Sequence, residues 1–226
     1  MREERQEVKK MKVTERDAEL LSRINAFGFM RVEQVAEFWR VDFSTAARRV
    51  RKLIAAGLLK RIELGIMTNR PLVVTMAGCR LIGDTIPPMT GIRAGTFRHD
   101  GLLPDLALSL ERRFGVAFET ERQLLAQPDA VRGHLPDGLL HLKDGRHVGI
   151  ELELTQKSQR RLTDIISIHA SNLALDEVWY VIIDEAMRPV LTRAAADHSH
   201  IKIVKWTPPS RRTAKPSPSN SGVHHE

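Results

Sequence analysis

A glycine- and proline-rich stretch near the middle of the chain sets its organisation. Residues 83–95, GDTIPPMTGIRAG, hold three Gly and two Pro between two regions with regular apolar patterns. Such a composition is typical of a linker, so we predict two modules, residues 1–90 and residues 91–207. The remaining residues, 208–226, are rich in Pro and Ser with little to bury, and we predict a disordered basic tail there.

The formal charge of +7 is unevenly distributed over the 226 residues. Residues 1–90 hold 17 Lys+Arg against 11 Asp+Glu, whereas residues 91–207 hold 15 against 16. This concentration of positive charge predicts a polyanionic partner for the first module.

The sequence also indicates a cellular compartment. The single cysteine, Cys79, excludes an intrachain disulfide and a multi-cysteine zinc site, and it is typical of a reducing cytosol. No apolar run approaches the ~20 residues of a membrane span, and the N-terminal segment MREERQEVKK lacks the apolar core of a secretory signal. We therefore expect a cytoplasmic protein without a membrane partner.

The sequence pattern of the first module predicts three helices and a hairpin. The first helix runs from Thr14 to Gly28, the second spans VEQVAEFW, and the third begins near Asp42 or Ser44 and ends at Gly57. The β-rich runs LLKRIEL and RPLVVT then predict a hairpin. This order of elements, with the segment AARRVRKLIAAGLLKR, resembles winged-helix regulators, which implies a winged helix-turn-helix fold.

The third helix is the candidate DNA-binding element. Its apolar residues, among them Val50 and Leu53, fall on one side and its cations on the other. A helix with these two faces can enter the major groove of double-stranded DNA, although a solvated surface helix has the same pattern. About six phosphate contacts would give a log–log salt slope near −5. The predicted contact residues are Ser44, Thr45, Arg48, Arg49, Arg51, Lys52, Lys60 and Arg61.

The sequence pattern of the second module predicts an α/β fold with a mixed sheet. Its patterns read helix, three strands, helix, strand, helix, strand. We expect Pro104 to break or restart the first of these helices. A hairpin joins LPDGLLHL (135–142) to HVGIELELT (147–155).

The register of this hairpin decides where its acids lie. A two-residue turn at Asp144-Gly145 places Asp137 opposite Leu152, whereas a three-residue loop with left-handed Gly145 places it opposite Glu151. The second register makes one face apolar throughout and leaves Asp137, Glu151 and Glu153 together on the other. Because burial favours a uniformly apolar face, we predict the second register and convergence of the three carboxylates.

Three converging carboxylates form a hard-oxygen site suited to Mg²⁺ or Mn²⁺, which can support phosphodiester cleavage. Pro136-Asp137 followed by Glu151-Leu152-Glu153 resembles the restriction-endonuclease-like PD-(D/E)xK superfamily. That resemblance implies catalytic and metal-binding roles for these carboxylates. Glu153 stands where the superfamily usually has Lys, and Lys157 is a candidate to supply the missing cation. Glu111 is a further candidate acid, and His141 and His147, with His134 before them, are candidate metal-assisting residues.

The two modules together resemble the replication-relaxation family of plasmids and integrative elements. The segments that carry this resemblance are HDGLLPDLALSL, FETERQLL, LPDGLLHL and IELELT. It implies an α+β protein that binds DNA at a plasmid locus, beside a relaxase or replication initiator, in replication or mobilisation. A homodimer is a separate candidate arrangement. Three functions remain open: an accessory DNA-binding factor with an inactive nuclease-like domain, a metal-dependent DNA endonuclease, and a winged-helix transcription regulator.

Overall fold

A computed structural model describes residues 12–63, 70–128, 134–155 and 159–210. In the first part of the chain, three helices and a hairpin follow in the predicted order, and a fourth helix comes after them. These elements are α1 (Glu15–Phe27), α2 (Val32–Trp39), α3 (Phe43–Ala55), β1 (Leu59–Arg61), β2 (Leu72–Val74) and α4 (Met76–Ile82).

The second part of the chain is built on one mixed sheet with the strand order β3-β4-β5-β6-β7. The first two strand junctions are antiparallel and the last two are parallel, with α7 and α8 as the crossovers. The predicted mixed sheet and α+β class are therefore confirmed. Its elements are α5 (Phe97–Phe114), β3 (Phe118–Thr120), α6 (Glu121–Ala126), β4 (Gly138–His141), β5 (His147–Glu153), α7 (Gln159–Ala170), β6 (Glu177–Ile182), a 3₁₀ turn (Glu185–Met187), α8 (Arg188–Ala194) and β7 (Ile201–Lys205).

Side-chain caps set the ends of the first helices. Thr14 and Asp17 form a reciprocal capping box at the start of α1, and Gly28 ends this helix with φ of 82°. Of the two predicted caps for α3, Asp42 is the one used. Two short helices escaped prediction: α4 begins at the Thr75 cap, and α6 begins at a capping box of Thr120 and Gln123.

Pro104 lies inside α5 and does not break it, contrary to the expectation from sequence. Pro104 has no N–H for the Asp100 carbonyl four residues earlier, and its ring crowds that turn. The Gly101 carbonyl accepts hydrogen bonds from Arg31 Nη1 at 2.6 Å and from Gln34 Nε2 at 2.9 Å. These donors lie at the start of α2, so packing between the two halves of the chain supports the helix through its proline.

The hairpin of β4 and β5 has the predicted register. His141 pairs with His147 and Gly138 with Ile150, as the three-residue loop requires, and Gly145 has φ of 89°. The apolar face is buried against the rest of the core, with Leu140, Val148, Ile150 and Leu152 among its residues. Burial of this face therefore selects the register, as expected.

Both halves of the chain contribute to one hydrophobic core. Leu20 and Leu53 from the first half belong to the same buried cluster as Leu106 and Ile150 from the second, and Cys79 is a small member of it. Residues 83–95 connect the halves without a helix or strand. A second cluster lies under α7 and α8, on the sheet face that carries Tyr180 and Ile182.

Candidate functional site

The outward face of α3 is cationic and exposed. Arg48, Arg51 and Lys52 are all exposed, while Ala46, Val50 and Leu53 are buried on the inward side. Within the described ranges, no acidic group forms an ion pair with any of these three cations. They are therefore available for an anionic partner.

The N-terminus of α3 presents polar atoms beside this face. The hydroxyl groups of Ser44 and Thr45 donate to the Asp42 carboxylate at 2.5 and 2.7 Å. Hydrogen bonds from these two residues hold the pKa of Asp42 far below its usual range, so it stays ionised. Each hydroxyl oxygen remains an acceptor for a donor on a ligand. Phe43 is half-exposed at the same end, and the sequence analysis did not single it out.

Arg49, another predicted DNA contact on α3, is only partly exposed and is engaged within the protein. Its guanidinium forms an ion pair with the buried carboxylate of Asp17 and also donates to the Lys12 carbonyl. The bond to Asp17 raises the pKa of Arg49. This arginine therefore joins α3 to α1.

The hairpin extends the cationic surface. Lys60 and Arg61 on β1 are exposed, and Arg61 Nη1 donates to the Arg70 carbonyl at 3.3 Å. Residues 64–69 of the predicted wing lie outside the described residues. The described part of the hairpin thus adds two of the predicted contact residues to the surface.

The register of β4 and β5 places Asp137, Glu151 and Glu153 on one face, as predicted, but their carboxylates do not gather around one point. Asp137 Oδ2 lies 3.0 Å from His99 Nε2 of α5 and accepts a hydrogen bond from the Leu152 amide at 2.7 Å. Glu151 instead contacts His169 of α7, and Glu153 is buried on the same side of β5. In the part of the chain that the structure describes, these three carboxylates do not form a group with ligand atoms within 4.8 Å of one another.

As arranged, these carboxylates do not fit Mg²⁺ or Mn²⁺ held by oxygen ligands. Both ions favour oxygen ligands gathered around one point. Here Asp137 has the imidazole of His99 as its neighbour, and Glu151 has the imidazole of His169. Lys157 lies outside the described residues. Glu111 is held by two hydrogen bonds from Arg23 and one from the Phe118 amide, so it joins α5 to α1 and β3.

The group that the structure does bring together consists of His134, Glu151 and His169. One ligand atom from each lies within 4.8 Å of the others. Glu151 Oε1 is 3.3 Å from His169 Nε2 and 3.8 Å from His134 Nε2, and the two imidazole rings stack at 5.0 Å. His169 was missed, although it continues the buried stripe of Leu162 and Ile166 on α7.

His141 and His147, the other candidate histidines, pair with each other across the hairpin. Their rings lie 4.7 Å apart, and His141 also contacts Glu119 at 3.3 Å. Neither belongs to the His134–Glu151–His169 group.

Asp137 also borders a cavity of about 550 Å³ between residues 83–95, α1, α5 and α6. Burial alone would lower the pKa of His99 there, but its bonds to Asp100 and Asp137 raise it to about 10. Burial and the nearby carboxylates raise the pKa of Glu121, which lines the same cavity. His99 is therefore a cation that balances the acids around it.

No protein-family model, curated protein or solved structure matches this chain. None of the described helices is long and apolar enough to cross a membrane.

Proposed function

We propose that this protein binds double-stranded DNA through a winged helix-turn-helix in which α3 is the recognition helix. The observation that carries the proposal is the exposed face of Arg48, Arg51 and Lys52, which has no ion pair to any described acid. Cations on such a face neutralise phosphates, and residues at the helix N-terminus reach base edges.

The surroundings of α3 support this proposal. Ser44 and Thr45 stand at its N-terminus with hydroxyl oxygens that can accept from base amino groups. Phe43 offers an apolar surface of the kind that contacts thymine methyl groups. Lys60 and Arg61 on the hairpin add two cations.

Binding of a fluorescent duplex, followed by anisotropy, tests the proposed surface. Removing three phosphate contacts in the variant R48A/R51A/K52A is expected to weaken binding by about 10²–10³-fold at 0.1 M salt. The matched control is R49A, the same residue type on the same helix. Because Arg49 is bonded to Asp17, R49A is expected to lower stability while leaving the affinity of the folded protein nearly unchanged. Equal affinity of the triple variant and the wild type contradicts the proposal.

We further propose that the protein acts as an accessory factor in replication or mobilisation of a plasmid or mobile element, with a relaxase or replication initiator as partner. This assignment depends on the resemblance of its ordered segments to the replication-relaxation family. To test this assignment, fragments of the replicon that encodes the protein are incubated with it, and the bound fragments are sequenced. Enrichment at an origin of replication or transfer supports the accessory role, whereas enrichment at promoters alone supports a transcription regulator.

The proposal includes no cleavage of DNA. Asp137 is bonded to His99 and Leu152 and is not grouped with Glu151 around a common point. When supercoiled DNA is incubated with the protein and Mg²⁺ or Mn²⁺, we therefore expect the DNA to stay intact. Nicking by the wild type that both D137A and E151A abolish would establish an endonuclease instead.

A further inference from the structure

His134, Glu151 and His169 have the composition of a transition-metal site. Two imidazoles and one carboxylate are the ligand set of open zinc sites, in which water takes the fourth position. We propose that these three residues bind a divalent transition-metal ion of the zinc class. This proposal is independent of DNA binding, because none of the three residues lies on α3 or the β1–β2 hairpin.

The separations of the ligand atoms suit such an ion. Zinc–ligand bonds of ~2.0–2.1 Å in a tetrahedron place two ligand atoms ~3.3 Å apart. Glu151 Oε1 and His169 Nε2 already stand at 3.3 Å, and His134 Nε2 is 3.8 Å from the same oxygen. A shift of the His134 side chain by about half an ångström gives its Nε2 the same separation from Glu151 Oε1. The His134 ring must also turn out of its stack with His169, because the nitrogen lone pairs of stacked rings do not point at one ion.

Tyr180 orients the buried imidazole for this role. His169 Nδ1 lies 2.9 Å from the buried Tyr180 Oη. With Nδ1 bonded to the hydroxyl, Nε2 is directed at Glu151. A hydrogen bond from the second ring nitrogen is what fixes the tautomer of most metal-binding histidines.

Burial and exposure are divided among the ligands as an open site requires. His169 is 1% exposed and Glu151 side-chain atoms are 9% exposed, whereas the His134 side chain is 43% exposed. Two ligands are thus held rigidly inside the fold, and solvent reaches the third. A metal can enter from that side, where water completes its coordination.

The same ligands discriminate against Mg²⁺. Imidazole suits zinc, copper, iron and nickel, whereas magnesium requires oxygen ligands in octahedral geometry. A different arrangement, a protonated His169 paired with Glu151, would place the same atoms together without a metal. Only metal binding requires His134, so this residue separates the two arrangements.

Metal binding can be measured on the full-length chain purified without a histidine tag. Isothermal titration with Zn²⁺ and visible spectra with Co²⁺ are expected to show one site per chain, with no comparable binding of Mg²⁺. H134A is expected to weaken zinc binding by about tenfold or more, and Y180F by ~10–100-fold. The half-exposed position of His134 makes H134A the variant least expected to disturb folding, and circular dichroism checks this.

Two matched variants sharpen the test. H141A removes a histidine from the exposed His141–His147 pair on the same hairpin, and D137N removes the neighbouring carboxylate; both are expected to bind zinc as the wild type does. Absence of zinc binding in the wild type, undiminished binding in H134A, or loss of binding in H141A would each overturn the proposal. Binding of Mg²⁺ that D137N abolishes would also overturn it.

Discussion

Replacing Asp105 with alanine is expected to destabilise the whole protein strongly, because this acid joins its two halves. Asp105 Oδ2 accepts a hydrogen bond of 2.6 Å from Arg31 Nη2, and the two side chains are 6% and 10% exposed. Removing one partner of a buried ion pair leaves the other charge without compensation, which typically costs ~3–5 kcal/mol. In a chain of this size such a loss lowers the melting temperature by about 10 °C.

A double variant separates the loss of the pair from the cost of the orphaned charge. Burial raises the pKa of Asp105 even though Arg31 opposes this shift. The attraction between the two charges therefore offsets little of the free energy that their desolvation costs. R31M/D105A removes both charges, and Gln34 still donates to the Gly101 carbonyl. We therefore expect the double variant to be more stable than D105A by about 2 kcal/mol or more.

Urea denaturation followed by circular dichroism measures these differences. The control is E37A, which removes an exposed ion pair between the same two helices, Glu37 with Arg112, and should cost about 0.5 kcal/mol or less. Because both halves share one core, we expect a single transition in the wild type. A cost below about 1 kcal/mol for D105A would refute the reasoning, as would a double variant less stable than D105A.

Two further predictions concern the second half of the chain. The pKa of His99 is raised from 6.5 to about 10, so its protonation contributes stability that is fully present below pH 6.5 and is lost as the pH rises to 10. H99Q should therefore flatten the curve of unfolding free energy against pH over that window, and an unchanged curve would contradict this. At Gly138 an added Cβ would lie 2.1 Å from ring atoms of Phe118, so G138A should cost ~1–3 kcal/mol in urea denaturation, whereas G91A, with open space around it, should leave the midpoint unchanged.

Structural features that depend on short-range sequence patterns could be predicted from the sequence. The β4–β5 register followed from the alternation of apolar residues around Gly145, since only one loop length buries a uniform face. The cap at Asp42 and the end of α1 at Gly28 likewise follow from local chemistry. The small helices α4 and α6 have equally local caps, but each is too short to show a periodic apolar pattern.

Features that depend on distant partners could not be foreseen. Arg49 lies on the same helix as Arg48 and differs from it only because Asp17, 32 residues away, reaches its guanidinium. Pro104 was expected to break its helix because proline lacks a backbone donor. The donors that support the turn before it, at the Gly101 carbonyl, come from the other half of the chain. The partner of Glu151 is a histidine on α7, which only the parallel crossover brings beside the hairpin.

The central claim, that α3 and its hairpin bind DNA phosphates, is tested most directly by the salt dependence of binding to a duplex. With Arg49 engaged by Asp17, five of the six predicted cationic contacts are exposed in the described part of the chain. Five phosphate contacts predict a log–log slope of about −4.5. The variant R48A/R51A/K52A keeps the two cations of the hairpin, so its slope should be about −1.8. A wild-type slope near zero, or the same slope in the variant, would contradict the account.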